Sequence, residues 1–324
     1  MAASLAAGST DDFAWRSKCP VCDSGAYELL LSLPYAGAPL QPFLERHYEG
    51  LARLDRVEGQ RYDLWRCKDC GLIYQPLVPA SGLLQEIYDR WIPLQDPERP
   101  DHQPTVAEAR ARMAEIDFMV STLGRSPARV RYLDFGSGWG EALLVARAFG
   151  CQVTGCELSV ERRRHAESLA LPMLTLERAC SRRFDIVDLE QVLEHLVDPR
   201  GILQTLAGLI EPGGILRVAV PDGRNVPQFL KRLGAGAPVD PAAMMAVHPL
   251  EHINCFTHAS LVELGRRCGL TPITPSLRRL YNAYAGWASP RGGLANLLRP
   301  LYRHVWPRSP TVYFTRSPGP AASG

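Results

Sequence analysis

The chain lacks the features that mark membrane-spanning or secreted proteins. No apolar run in its 324 residues reaches the roughly 18 residues of a membrane span. Met1 to Ala14 has neither a basic start nor a long apolar core, so we expect no signal peptide. The nine cysteines fall as two close pairs and five scattered residues. That usage favours a metal site in a reducing compartment over a disulfide framework, and we therefore expect a cytoplasmic protein.

Acidic residues are missing from the C-terminal part of the chain. No Asp or Glu follows Glu263, whereas nine arginines do. A C-terminal part whose charged residues are all basic could attract an anionic or nucleotide-linked substrate, or it could form a solvated basic surface. The arginine-rich and aromatic stretch over residues 281–308 could also meet a membrane surface that holds a lipid-linked substrate.

The most informative pattern is a glycine-rich turn between an apolar strand and a helix. The strand ends in an acid, Asp134, and helical spacing begins at Glu141. Between them lie Gly136, Ser137, Gly138, Trp139 and Gly140. Glycine is needed where the backbone takes a positive φ or lies against a ligand with no Cβ in the way. The helix that follows points free N–H groups at whatever occupies the turn.

The glycine spacing distinguishes between two ligand classes. A dinucleotide-binding turn has the pattern G-x-G-x-x-G, but here the third glycine comes one residue early and Glu141 takes the last place. A carboxylate there would repel a pyrophosphate, whereas S-adenosylmethionine has no phosphate and its cationic groups tolerate acids. The sequence at this point resembles the class I S-adenosylmethionine-dependent methyltransferases, whose first motif is an acid followed by G-x-G-x-G. The resemblance implies a cofactor site formed by Asp134, Gly136, Ser137, Gly138 and Gly140.

Two further strand ends fit this resemblance. A second strand ends at Glu157 and Leu158, where a carboxylate can accept hydrogen bonds from both hydroxyls of a ribose. A fourth strand passes through Glu190 into the run LEHLVDP, and a fifth strand follows the Pro-Gly-Gly of residues 212–214. This order resembles the same family and predicts an α/β fold with a doubly wound, Rossmann-like sheet. We expect Glu157, Leu158 and Glu190 to contact the cofactor.

Two C-x-x-C pairs predict a metal site near the N-terminus. Cys19, Cys22, Cys67 and Cys70 can supply the four thiolates of a closed tetrahedral Zn²⁺ site, which is structural because no position is left for water. A redox disulfide normally lies beside a βαβ unit, and the sequence predicts none near these cysteines. The arrangement resembles the zinc-binding N-terminal segment of bacterial sugar and natural-product tailoring methyltransferases.

These patterns divide the chain into segments. We expect a disordered tail over 1–14, a zinc-ribbon-like module over 15–80, a helical linker that covers the cofactor and substrate over 81–128, a methyltransferase domain over 129–316 and a disordered tail over 317–324. Loop-rich or irregular inserts over 222–250 and 281–308 should interrupt the methyltransferase domain. Within it, a short third strand is expected at Leu174 to Leu176, and the family resemblance implies an antiparallel last strand at Thr311 to Thr315.

Candidate catalytic residues follow from the chemistry of methyl transfer. An oxygen or carbanion acceptor needs a base, and histidine suits that role near neutral pH. His252 stands in a run, EHIN-x-FT, that resembles the family segment lying over the substrate, and neighbouring Glu251 could orient it. His195 follows the fourth strand. We predict His252, His195 and Glu251 as catalytic residues, and we expect His47 to be a surface residue.

The leading hypothesis is transfer of a methyl group to carbon or oxygen of a small molecule such as a sugar, a glycan or a natural-product intermediate. Methylation of RNA or protein is an alternative, but acidic residues accompany the basic ones around the cysteine pairs, so nucleic acid is not the expected partner. A non-catalytic scaffold with the same fold is a third possibility. The intact glycine turn and Glu157 argue against it, because a scaffold has no use for a cofactor site.

Overall fold

The computed structural model describes residues 12–93, 105–274 and 310–316. The predicted insert over 281–308, the tail over 317–324 and residues 1–11 of the N-terminal tail lie outside the described residues. The strands are β1 (Phe13–Trp15), β2 (Tyr27–Pro34), β3 (Arg61–Cys67), β4 (Ile73–Tyr74), β5 (Leu77–Pro79), β6 (Arg131–Phe135), β7 (Gln152–Cys156), β8 (Phe184–Glu190), β9 (Ile210–Ala219), β10 (Asn254–Cys255), β11 (Leu270–Ile273) and β12 (Thr311–Arg316). The helices are α1 (Leu40–His47), α2 (Ser81–Glu86), α3 (Val106–Leu123), α4 (Glu141–Ala148), α5 (Val160–Ser168), α6 (Leu176–Ala179), α7 (Pro199–Leu209), α8 (Val226–Gly234), α9 (Pro241–Met244) and α10 (His258–Arg267).

The chain folds into two compact units that alternate along the sequence. The first unit comprises Met1–Gln95, Glu194–Val197 and Pro221–Thr257. The second unit comprises Asp96–Leu193, Asp198–Val220 and His258–Gly324. The predicted catalytic histidines therefore belong to the first unit, and the glycine turn belongs to the second.

The second unit is built on a six-stranded sheet with the order β11-β12-β9-β8-β6-β7. Strands β7, β6, β8 and β9 pair in parallel, and β12 runs antiparallel to both β9 and β11. The side chains of β8 are buried from Phe184 to Leu189, as expected for a parallel strand covered on both faces. The predicted α/β fold and the antiparallel last strand are confirmed.

Two details of this sheet differ from the sequence-based expectation. The third strand predicted at Leu174 to Leu176 is wrong, because Met173 forms only an isolated bridge with Gly155 and helix α6 begins at Leu176. Thr175 caps that helix by accepting a hydrogen bond from Arg178 N, which favours a helix start over a strand. The fifth strand also begins earlier than predicted, since β9 runs from Ile210 through the Pro-Gly-Gly segment.

The first unit contains a four-stranded sheet with the order β10-β4-β3-β2 and the separate pair β1–β5. Because Phe13 is buried and pairs with Pro79, the prediction of a disordered tail through residue 14 is wrong for its last residues. The stretch over 222–250, predicted to be loop-rich, contains helices α8 and α9. Buried residues of α8, such as Leu230, join the same hydrophobic core as Leu31 of β2.

Candidate functional site

The glycine turn of the second unit connects β6 to α4 with left-handed backbone at three positions. Gly136, Gly138 and Gly140 have φ values of 79°, 53° and 90°, which side chains other than glycine rarely adopt. A Cβ at Gly136 would lie 2.5 Å from Val192 Cγ2, and one at Gly140 would lie 2.6 Å from Leu171 Cδ1. A Cβ at Gly138 would meet no atom within 4 Å. The outer glycines thus pack against protein, whereas Gly138 faces open space.

Glu157 fixes the middle of this turn. Its Oε2 accepts a hydrogen bond of 2.8 Å from Gly138 N, and its Oε1 accepts one of 2.8 Å from Ser159 N. The Oγ of Ser137 is buried and has no hydrogen-bond partner, although buried polar groups in proteins are nearly always paired. The neighbouring Leu158 side chain is 94% exposed. The turn therefore offers one unpaired polar atom, one carboxylate and one exposed apolar side chain.

Charged side chains form a row across three strands beside the turn. In the strand register Asp134 of β6 lies opposite Asp188 of β8, and Asp188 lies opposite Arg217 of β9. Arg217 Nη1 donates to Asp188 Oδ1 at 2.8 Å and to Glu190 Oε2 at 3.1 Å. Arg112 Nη1 of helix α3 donates to the same Glu190 oxygen at 3.2 Å. Glu190 is therefore neutralised by two arginines.

The pKa values of these acids diverge. Burial and the nearby Asp188 raise the pKa of Asp134 well above its usual range, so this carboxyl favours its neutral form. Burial alone would also raise the pKa of Glu190, but Arg217 and Arg112 outweigh it and lower the pKa. Beside the glycine turn, the sheet thus presents a neutral acid on β6 and a paired carboxylate on β8.

The predicted catalytic residues converge in the first unit. The ring centroids of His195 and His252 are 4.7 Å apart in an edge-to-face arrangement. His195 Nδ1 lies 2.8 Å from the hydroxyl of Tyr88 and 3.1 Å from the backbone carbonyl oxygen of Glu251. If Nδ1 carries the ring proton, it donates to that carbonyl and leaves a lone pair on Nε2. The structure thus brings both predicted histidines together with Tyr88.

His252 is buried, and its Nδ1 has no hydrogen-bond partner. Burial lowers its pKa, although the Glu251 carboxylate acts in the opposite direction. A neutral imidazole with an unpaired ring nitrogen is the form that a general base requires.

The Glu251 carboxylate interacts with two histidines that precede it in sequence. His47 Nε2 lies 3.0 Å from Glu251 Oε1, and His248 Nδ1 lies 3.5 Å from the same oxygen. Burial alone would raise the pKa of Glu251, but the hydrogen bond from His47 and the proximity of His248 lower it to about 2. The expectation that His47 is a surface residue is wrong, because its imidazole is only 24% exposed and bonds Glu251.

Arg16 and Gln75 support this cluster and were not found from the sequence. Arg16 donates to the backbone oxygens of Gln75 and Ile253 and to Asn254 Oδ1, at 2.6, 2.9 and 2.8 Å. Asn254 Nδ2 in turn donates to Leu196 O at 2.7 Å. These bonds fasten strand β10 to the segment that carries His195. No local pattern in the sequence marks them, because the partners lie far apart along the chain.

The four cysteines meet as predicted. Their Sγ atoms lie within 4.8 Å of one another, with Cys19 and Cys70 3.5 Å apart and Cys22 and Cys67 3.4 Å apart. All nine cysteines are free thiols. The Cys70 thiol lowers the pKa of Cys19, whereas the bond to Cys19 raises that of Cys70. Four clustered soft sulfur donors fit a Zn²⁺ ion.

Comparison with known proteins identifies the class. A family described as "Methyltransferase domain" matches residues 102–274, more than half of the chain. The chain therefore belongs to this family, and its sheet order and glycine turn are typical of the class I S-adenosylmethionine-dependent methyltransferases. The turn fits that cofactor, because Ser137 Oγ lacks a partner and Gly138 faces open space. No curated protein sequence matches the chain.

Several solved structures are similar to the chain. DesVI of Streptomyces venezuelae is 22% identical over 35% of this chain and 51% of its own, with a TM-score of 0.30. The sugar N-methyltransferase KedS8 of a Streptoalloteichus species is 22% identical over 37% of this chain and 52% of its own, with a TM-score of 0.32. The magnesium protoporphyrin IX methyltransferase of Synechocystis is 16% identical over 66% of this chain and 89% of its own, with a TM-score of 0.38. The chain thus spans about half the length of the first two structures.

Among the described residues, none of the helices combines the length and the apolar character that a bilayer crossing requires.

Proposed function

We propose that this protein transfers the methyl group of S-adenosylmethionine to a carbon or oxygen atom of a small molecule, namely a sugar, a glycan or a natural-product intermediate. The observation that carries the proposal is the glycine turn, in which Gly138 faces open space beside the unpaired Ser137 hydroxyl. The donor, when bound, supplies an electrophilic methyl group. Everything else in the reaction is binding, orientation and proton transfer by the residues of the chain.

The donor site would be formed by residues of the second unit. Gly136, Gly138 and Gly140 would let the backbone approach the donor, and Ser137 would hydrogen-bond it. Glu157 keeps lone pairs free for ribose hydroxyls while its two bonds to backbone N–H groups hold it in place. Leu158 would be covered by the adenine. Asp134 and Glu190 would face the cationic end of the donor.

The proton would be removed by residues of the first unit. We assign the base to His252, because its ring is buried, neutral and unpaired at Nδ1. The His195 ring packs edge to face against the His252 ring, and hydrogen bonds with Tyr88 and the Glu251 backbone fix its orientation. The backbone carbonyl of Glu251 contacts His195, and its carboxylate contacts His47 and His248.

Donor binding can be tested without knowing the acceptor. Isothermal titration of the purified chain with S-adenosylhomocysteine should show binding, and Gly138→Ala should weaken it about tenfold or more, because the new methyl group fills the open space. Gly124→Ala is the matched control, since Gly124 has a φ of 64° and equally open surroundings at the end of α3. A chain with no affinity for either the donor or its demethylated product would refute the proposal.

The base can be tested once an acceptor is found. A labelled methyl donor screened against nucleotide-linked sugars, glycans and sugar-bearing natural products should label one class. On that acceptor His252→Gln should lower turnover by about 10² or more and leave S-adenosylhomocysteine affinity unchanged. Unaltered turnover would remove His252 from the mechanism, and labelling of RNA or protein alone would redirect the substrate class.

A further inference from the structure

A second cluster of metal-type ligands lies in the first unit, apart from the four cysteines. His47 comes from the last residue of α1, and His248 and Glu251 come from the turn that follows Val247. One ligand atom from each of these three side chains lies within 4.8 Å of the other two. Neither the glycine turn nor the assigned base accounts for this convergence.

The spacing of these atoms suits a single ion. Metal–ligand bonds of about 2.0–2.2 Å to imidazole and carboxylate place neighbouring ligand atoms roughly 3 to 3.5 Å apart. Glu251 Oε1 lies 3.0 Å from His47 Nε2 and 3.5 Å from His248 Nδ1. Two imidazoles and one carboxylate leave coordination positions open, which is the arrangement of non-haem iron and related divalent sites.

His248 supplies an independent observation. Its side chain is fully buried, and neither of its ring nitrogens has a hydrogen-bond partner. A buried polar group that is left unpaired destabilises the folded state. A hydrogen bond between His47 and Glu251 accounts for those two side chains but leaves the imidazole of His248 unexplained. An ion bound by its Nδ1 would account for it.

Hydrogen bonds hold the turn that carries two of these ligands. His252 N donates to His248 O at 3.0 Å, and Gln75 Nε2 donates to the same oxygen at 3.2 Å. Such outer contacts orient ligands in known metal sites.

We propose that His47, His248 and Glu251 bind one divalent transition-metal ion, with water or another oxygen donor completing its coordination. Nitrogen and oxygen ligands favour ions such as Fe²⁺, Co²⁺ or Zn²⁺, whereas the cysteine cluster favours soft thiolate coordination. The two sites therefore differ in chemistry as well as in residues.

Cobalt distinguishes the two sites. The reduced, full-length chain is dialysed against excess Co²⁺, and its total zinc plus cobalt content and its absorption spectrum are measured. Cobalt bound to thiolates shows intense charge-transfer absorption, whereas cobalt bound to nitrogen and oxygen shows only weaker visible bands. We expect the wild-type chain to hold one more ion than His47→Gln and Glu251→Gln, and the spectrum of wild type minus either variant to show weak visible bands without thiolate charge transfer.

His165→Gln is the matched control, because it removes a histidine from helix α5 of the second unit. It should retain the wild-type metal content. Equal metal content in all four proteins would overturn the proposal. A wild-type chain that holds no more metal than the four-cysteine site accounts for by its thiolate charge-transfer intensity would overturn it too, and that measurement does not depend on whether either variant folds.

Discussion

Asp185, the second residue of β8, accepts three hydrogen bonds from two arginines. Arg125 Nη1, Arg131 N and Arg131 Nε lie 2.7, 2.9 and 3.1 Å from its carboxylate oxygens. Burial alone would raise the pKa of Asp185, but the bonds from Arg131 and the charge of Arg125 outweigh it and lower the pKa. A carboxylate whose pKa is lower in the folded state stabilises the fold at neutral pH.

Asp185→Asn should therefore reduce the free energy of unfolding by about 2 kcal/mol at pH 7, since hydrogen bonds to a charged group are lost. The difference from wild type should be fully present above the unfolded pKa of about 4 and shrink as the pH falls through the folded value. Urea unfolding at several pH values measures it. Asp55→Asn, which removes an exposed carboxylate paired with Arg53, should change stability little. A difference that persists unchanged to pH 3 would contradict this explanation.

Individual residues could be predicted from the sequence where the residues that act together are neighbours along the chain. The glycine turn and Asp134 could be found because strand, turn and helix are contiguous in sequence. His47 could not, because its partner Glu251 lies 204 positions further along the chain. Its place on α1 gives no sign that a carboxylate approaches it in the fold.

Helix α10 packs Gly265 against Phe314 of strand β12. A Cβ at Gly265 would overlap the ring of Phe314, a fully buried side chain. The absence of a side chain at Gly265 thus lets the helix lie directly on the sheet.

Gly265→Ala should destabilise the protein by about 1–3 kcal/mol, because the added methyl group overpacks this contact. Gly208→Ala makes the same change in helix α7, where a Cβ would meet no atom within 4 Å. It should stabilise by about 0.5–1 kcal/mol, as expected for alanine in a helix. Thermal unfolding of both variants measures the two effects. Equal shifts in the midpoint of unfolding would show that the Phe314 ring does not exclude a methyl group at position 265.

Helices and strands could be predicted from the sequence where capping residues and the pattern of buried side chains indicate the same element. Ser159, a residue type that favours the N-cap position, directly precedes α5, and its side chain accepts a hydrogen bond from Arg162 N. The predicted third strand failed because three apolar or β-branched residues do not reveal whether a neighbouring strand is within reach. In the fold the backbone of Pro172 and Leu174 hydrogen-bonds Gly155 of β7, but this single bridge extends no further before helix α6 begins at Leu176.

Zinc and donor should leave separate local signatures in the intact chain. If zinc occupies the cysteine cluster, a chelator should speed amide hydrogen exchange around Cys19–Cys22 and Cys67–Cys70, because a bound ion would hold both turns. Adding S-adenosylhomocysteine should slow exchange at Gly136–Gly140. Mass spectrometry of peptides from both regions measures each effect.

Cys67→Ser should reproduce the effect of the chelator. Cys180→Ser, which changes an exposed cysteine outside the cluster, should not. Exchange at the cysteine turns that is indifferent to the chelator would argue against a metal there.

At the scale of the whole molecule, the segments predicted from the sequence follow one another along the chain. In the fold, by contrast, the chain passes repeatedly from one unit to the other. Hydrophobic patterning reports which residues are buried but not which core they join. Val226, Leu230 and Leu233 of α8 share their core with Leu31 and Tyr62, and only the folded chain reveals that pairing.

The four-stranded sheet of the first unit pairs β4, at Ile73–Tyr74, with β10, at Asn254–Cys255. During synthesis the residues that form β6 to β9 must therefore leave the ribosome before β10 can pair with β4 and complete that sheet. Until then the unpaired edge of β4 is open to other chains. A nascent protein halted before residue 254 should consequently depend on chaperones more than one halted after it.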